Sequence, residues 1–161
     1  MDVFSHTLWG YGLFGHRGRP GLAALFGALP DVLAFAPFTI IQIFNGEYTP
    51  GPPSLDVLPY WTFLTYDFTH SFVSVAIVFG LCFSFRKDIL FPLLSWPFHI
   101  LLDFPFHTKE YFPAHIFWPI SNFYVDGISW GNPWVWYPNL AGVLIVLGWR
   151  FKNKKKVKIQ L

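Results

Sequence analysis

Charge is scarce in this chain. Only 12% of its 161 residues are Asp, Glu, Lys or Arg, against 53% hydrophobic, whereas a soluble domain carries about 25% charged residues. A water-exposed globule of this size would lack the polar side chains to cover itself. That excludes the ordinary soluble enzyme and points to an integral membrane protein of one domain; the mean hydropathy of +0.42 agrees. Cysteine is nearly absent as well. The single Cys82 rules out an intramolecular disulfide and any zinc site built from several thiolates. Residues 1–15 lack a basic n-region and hold Asp2 and His6, so no cleavable signal peptide is expected.

What the chain does have is long apolar runs. Segments 21–44, 60–85, 89–104 and 134–149 approach or exceed the roughly 20 apolar residues needed to cross a bilayer, and 3–14 reads as a short apolar helix ahead of them. The expected fold is all-α: a polytopic membrane helical bundle of about four transmembrane helices plus the N-terminal helix. Residues 1–151 form its single membrane domain and 152–161 a basic tail. Five of the eleven Lys/Arg lie in that tail, as Lys152, Lys154, Lys155, Lys156 and Lys158. Arg17 and Arg19 precede the first segment, and Arg86 and Lys87 separate the second from the third. If all four segments span, the three basic groups share one side, which the positive-inside rule makes cytoplasmic. The tail then reads as an anchor at the inner membrane rather than a nucleic-acid contact. Pro30, Pro92 and Pro97 fall inside expected spans, where each removes a backbone donor and favours a kink. Trp118, Trp130, Trp134, Trp136 and Tyr137 flank the outer ends, as an interfacial aromatic belt does.

Against this background, Asp31, His70, His99 and Asp103 stand out as isolated ionisable groups. Each costs on the order of 2.5–3.5 kcal/mol to insert and is a functional-site candidate by default. At a helical rise of about 1.5 Å per residue, Asp31 lies roughly 18 Å from Arg19, and His99 as far from Lys87. His70 and Asp103 lie about 24 Å from Arg86 and Lys87 respectively, and His6 about 16 Å from Arg17. Ligand-type side chains from separate helices thus reach one layer in the outer half of the membrane. His99 and Asp103, four residues apart, share a helix face, so an imidazole nitrogen and a carboxylate oxygen can meet one cation. The alternative is a ring of buried His–Asp hydrogen bonds with no metal. Asp67 is a candidate hydrogen-bond partner for His70 or an interfacial polar residue. His107 and His115 in the outer loop are candidates for acid/base work, a second site or plain solvation. Glu110 and Asp126 are bases by proximity only, and His16 reads as a surface residue.

The ordered pieces Ser5-His6-Thr7, Leu29-Pro30-Asp31, Thr69-His70-Ser71, His99 to Asp103 and Phe117-Trp118-Pro119-Ile120-Ser121 resemble the YdjM-type family of inner-membrane proteins, described as membrane-bound metal-dependent hydrolases. The likeness runs over roughly residues 5–121. The order His, Asp, His, HxxxD is also similar to the zinc-dependent phospholipase C and single-strand nuclease superfamily, in which the HxxxD aspartate bridges two metals. The resemblance implies one metal on Asp31, His70, His99 and Asp103, with Asp103 reaching toward a second shared with His6. The chain departs from the nearer family at Tyr66-Asp67-Phe68, and a late HxxxE is missing.

The expected activity is a membrane-embedded metal-dependent hydrolase acting on a lipid-borne phosphoester or other ester through a metal-activated water. His107 or Asp67 would carry protons, and His6, Asp31, His70, His99 and Asp103 would face the metal. The cofactor is a divalent ion, zinc first, with manganese, iron or cobalt also suited to a His/carboxylate set. The expected partners are membrane lipid and a lipid-like substrate, with no nucleic acid. The competing reading is a non-catalytic membrane protein whose His/Asp cluster holds a structural metal or conducts a metal ion or proton.

Overall fold

Asp2 opens the first helix. Its carboxylate accepts from the Ser5 amide at 2.8 Å and the Ser5 hydroxyl at 2.7 Å, satisfying a donor that a helix N-terminus otherwise leaves orphaned. This helix, α1 (Val3–Phe14), packs against α2 (Pro20–Asn45), α6 (Ser95–Asp103) and α7 (Pro133–Ile159). The computed structural model describes residues 1–17 and 19–159, with side chains through 153. Among the described residues the chain is all-helical, with one isolated bridge between Thr108 and Tyr111 and no strand.

Two glycines bring α1 and α2 into backbone contact. A Cβ at Gly10 would run into the Ala23 carbonyl oxygen, and one at Gly27 into that of His6; small residues let membrane helices approach in this way. The α2 helix starts on Pro20, whose missing N–H is no loss in a first turn. It ends at Gly46, in the left-handed region with φ 73°. Its 26 residues rise about 39 Å, more than a hydrocarbon core of about 30 Å requires. Among the described residues, α2 is the one helix that alone is long and apolar enough to cross a membrane.

The segment expected to span as one helix over 60–85 is broken. α3 (Tyr60–Thr69) and α4 (Phe72–Phe85) are bent by 58° at Thr69-His70-Ser71. Hydrogen-bonding side chains offer the backbone an alternative to the helical ladder here. The Val73 amide donates to Ser71 Oγ at 3.0 Å, and the Ser71 hydroxyl donates to the Trp118 carbonyl at 2.5 Å. The Trp96 indole donates to the Thr69 carbonyl at 2.7 Å. Taken together the bent pair is long and apolar enough for one crossing.

The expected span over 89–104 is also divided. A turn at Lys87–Ile89 leads into the single turn α5 (Leu90–Leu93) and the nine-residue α6. Pro97 cannot donate to the Leu93 carbonyl, which accounts for the interruption at Leu94. α7 runs longer than the expected 134–149, because its backbone continues as helix to Ile159 instead of stopping before the tail. Pro138, Asn139 and Arg150 interrupt its apolar run, and it does not qualify as a span by composition. The side chains of Lys154, Lys155, Lys156 and Lys158 lie outside the described residues.

The basic residues near the turns do gather. Arg19 meets Asp88 at 2.7 Å and Arg86 meets it at 3.1 Å; the hydrogen bond from Arg86 holds the Asp88 carboxyl below its ordinary value. Arg150 donates to the carbonyls of Tyr11 and Gly15 at 2.5 and 2.9 Å, closing the C-terminal end of α1. The α1–α2 turn, the α4–α5 turn and the end of α7 therefore share one end of the molecule. Two apolar clusters fill the interior. One centres on Val75, Leu93, Trp96 and Ile100; the other joins Ala34, Phe38, Leu58, Tyr66 and Phe112.

Candidate metal centre

Each part of the fold delivers one polar group to the same interior point. Pro30 precedes Asp31 on α2, and its carbonyl accepts from the Thr69 hydroxyl at 3.2 Å, which ties this helix to the break holding His70. α6 contributes His99 and, one turn on, Asp103; α1 contributes His6. All of them are buried, none more than 6% exposed.

The donors of the two central histidines are committed to backbone. His99 Nδ1 lies 2.7 Å from the Gly27 carbonyl and His70 Nδ1 3.0 Å from the Tyr66 carbonyl. A carbonyl only accepts, so the ring proton sits on Nδ1 in each. In the neutral rings both Nε2 atoms then present lone pairs inward, 3.0 Å apart. The carboxylates add more lone pairs. Asp31 Oδ1 lies 3.6 Å from His70 Nε2 and 3.8 Å from His99 Nε2. Asp103 Oδ2 lies 3.6 and 3.2 Å from the same two nitrogens. One ligand atom from each of the four residues falls within 4.8 Å of every other. Zinc ligands at about 2.0–2.1 Å in a tetrahedron are about 3.3–3.4 Å apart, and the observed separations straddle that edge. Buried acceptors facing one another repel unless a cation, or a proton shared between imidazole and carboxylate, sits among them. Asp31, His70, His99 and Asp103 can hold a metal ion.

Asp103 is the hub, since its two oxygens face different neighbours. Oδ1 accepts from the Met1 amino group and lies 3.0 Å from His6 Nε2, while Oδ2 faces His70 and His99. The His6 ring stacks on His99 with centroids 3.6 Å apart. His6 is therefore at the cluster, on the far oxygen of Asp103.

Two of the expected roles change. Asp67 is not the partner of His70, whose Nδ1 is taken by the Tyr66 carbonyl. It instead accepts from His115 Nδ1 at 2.8 Å, beside a cavity of about 240 Å³ shared with Tyr66, Glu110 and Phe112. His107 is no solvated loop residue: it is buried, with Nε2 3.5 Å from Asp103 Oδ2. Asp126 is engaged elsewhere, accepting from the Lys109 amide at 3.0 Å. His16 is exposed, as expected, with Nδ1 2.8 Å from the Leu13 carbonyl.

Sequence reasoning passed over Gly27, which both admits α1 and offers its carbonyl to His99. It also passed over Tyr66, whose ring stacks on His70 at 3.9 Å. A glycine in an apolar helix near a lone Asp was the one available signal for the first; nothing local marked the second. Asn139 was missed too. It accepts from the Trp9 indole and donates to Ser5 Oγ, both at 2.8 Å, so α7 is tied to the α1 helix that carries His6.

Compared with models of protein families, with curated proteins and with solved structures, the chain matches none. The reading of the site rests on its own geometry.

Proposed function

We propose that the chain is a polytopic membrane protein that uses a divalent cation at Asp31, His70, His99 and Asp103, zinc first, to hydrolyse a phosphoester or other ester borne by a lipid. The observation that carries the metal is the convergence of four buried ligand atoms, one each from Asp31, His70, His99 and Asp103, within 4.8 Å of one another. A divalent ion bound there supplies Lewis acidity, lowering the pKa of water toward about 7 and polarising an ester. The residues do the rest. The Gly27 and Tyr66 carbonyls fix the imidazole tautomers, a role outer partners play at metal sites generally. His6 is an added ligand or a substrate contact at Asp103 Oδ1. The His115–Asp67 pair, beside its cavity, is the candidate proton carrier.

Four spans, with the basic end cytoplasmic and the cluster nearer the outer leaflet, fit the exposed apolar side chains. Val32, Leu33, Ile40, Ile77, Leu81 and Ile145 are all open to the surroundings, more apolar surface than a soluble monomer leaves uncovered. This reading also takes the resemblance to the YdjM-type inner-membrane family as kinship, with lipid as the partner and the inner membrane as the location.

A second reading has its own support. Four protein ligands with almost no exposure describe a closed site, the mark of a structural metal, whereas catalysis needs an open position. Elemental analysis of detergent-purified protein separates metal from no metal. About one zinc per chain is expected, lost in the His99→Ala/Asp103→Ala variant; equal metal in both would overturn the site. Chelator-sensitive cleavage of a phosphoester lipid supports the hydrolase. Metal without turnover favours the structural reading.

A further inference from the structure

His107, a candidate for acid/base work, a second metal site or plain solvation, is buried beside Asp103, so solvation does not describe it. Its Nδ1 lies 2.8 Å from the Phe112 carbonyl and 3.3 Å from the Tyr66 hydroxyl oxygen. The Tyr66 hydroxyl donates its own proton to that same carbonyl, at 3.1 Å. Both neighbours of Nδ1 are therefore acceptors, and the ring proton belongs there. In the neutral ring Nε2 is then a bare lone pair. It is buried without a hydrogen-bond partner among the described residues, and so is the atom it faces 3.5 Å away, Asp103 Oδ2. Two buried acceptors aimed at each other call for a cation between or beside them.

The backbone is built to hold this arrangement. Phe112 has φ 50°, the left-handed region that a large non-glycine side chain enters only under constraint, and its carbonyl is the group that fixes the His107 tautomer. Across the loop, the amides of Gly127, Ile128 and Trp130 donate to the carbonyls of His107, Pro105 and Phe106 at 2.9, 3.1 and 3.1 Å. Gly127 is required for that strap, because a Cβ there would meet the Pro105 and His107 carbonyl oxygens. Strain and strap together position one imidazole nitrogen against the hub of the cluster.

We infer that His107 is a further ligand of the cation held at Asp103 Oδ2, an inference that rests on the metal reading above and extends it. The donor set becomes three imidazoles and two carboxylates. With neutral rings the two carboxylates offset the charge of a divalent ion, and the Met1 amino group on Asp103 Oδ1 adds one positive charge beside it.

The test is X-ray absorption at the zinc edge on detergent-purified protein loaded with one equivalent of zinc. Three imidazoles are expected in the wild type and two in His107→Gln, with zinc affinity reduced at least tenfold. Two imidazoles in the wild type, or an unchanged count and affinity in His107→Gln, would overturn the assignment in favour of an imidazolium ion pair with Asp103. If His107→Gln yields no folded protein, His6→Ala decides. Three imidazoles persisting there support His107, and a fall to two assigns the third to His6 and removes His107. A wild type that takes up no zinc defeats the metal reading itself, whereas a two-imidazole zinc site defeats only this extension of it.

Discussion

At the scale of single residues, the site depends on atoms that are not ligands. Gly27 has no side chain, and that absence lets the His6 carbonyl pass while the Gly27 carbonyl receives the His99 proton. Adding one methyl forces α1 away and disturbs both contacts. Overpacking of this kind costs about 1–3 kcal/mol. Gly27→Ala is therefore expected to lower the unfolding midpoint in detergent and to reduce bound zinc. Gly80→Ala, inside α4 with open space around its Cβ position, should leave bound zinc unchanged and hold or raise the midpoint. Equal behaviour of the two variants would refute the close approach.

Between residue and molecule stands the helix break. His70 reaches the cluster because α3 ends on it and α4 begins just after; in an unbroken helix its Nδ1 and backbone would be oriented by the ladder alone. Ser71 holds the break from both sides, capping α4 and donating to Trp118. Removing its hydroxyl loses a cap, worth about 1 kcal/mol, and leaves a carbonyl without its donor, a further cost of about 1 kcal/mol. Ser71→Ala should thus destabilise by about 2 kcal/mol in chemical unfolding, with weaker zinc binding. Ser71→Thr, which keeps the hydroxyl, should recover most of the loss. A wild-type midpoint for Ser71→Ala would show that packing alone sets the bend.

For the whole molecule the deciding quantity is orientation. Arg19, Arg86 and Arg150 gather at one end through Asp88 and the α1 carbonyls, while the loop carrying Ser121 follows α6 at the other. The four-span reading makes the first end cytoplasmic. In a Cys82→Ser background, Lys152→Cys is expected to react with an impermeant thiol reagent only after the membrane is opened, and Ser121→Cys in intact cells. Labelling of both from one side would mean that α7 does not cross between them, which overturns the four-span reading and returns α7 to a non-spanning role.

Much of this was legible in the sequence. The α2 helix at Pro20–Asn45 lies within one residue of the expected 21–44, because an apolar run between a proline and a glycine carries its own limits. The cluster of Asp31, His70, His99 and Asp103 was legible for a similar reason. Helical rise is a local property, so counting residues from the basic turns gives depth, and i to i+4 gives a shared face. Tertiary structure decided most of the rest. The bend at His70, the pairing of Asp67 with His115 and the burial of His107 arise from partners 27 to 48 positions away or from strain at Phe112, whereas the division of 89–104 follows from Pro97, a local signal. Local propensity has no term for such partners. Composition and spacing say which groups are too polar for their surroundings; only packing says which atom of each group is left facing the others.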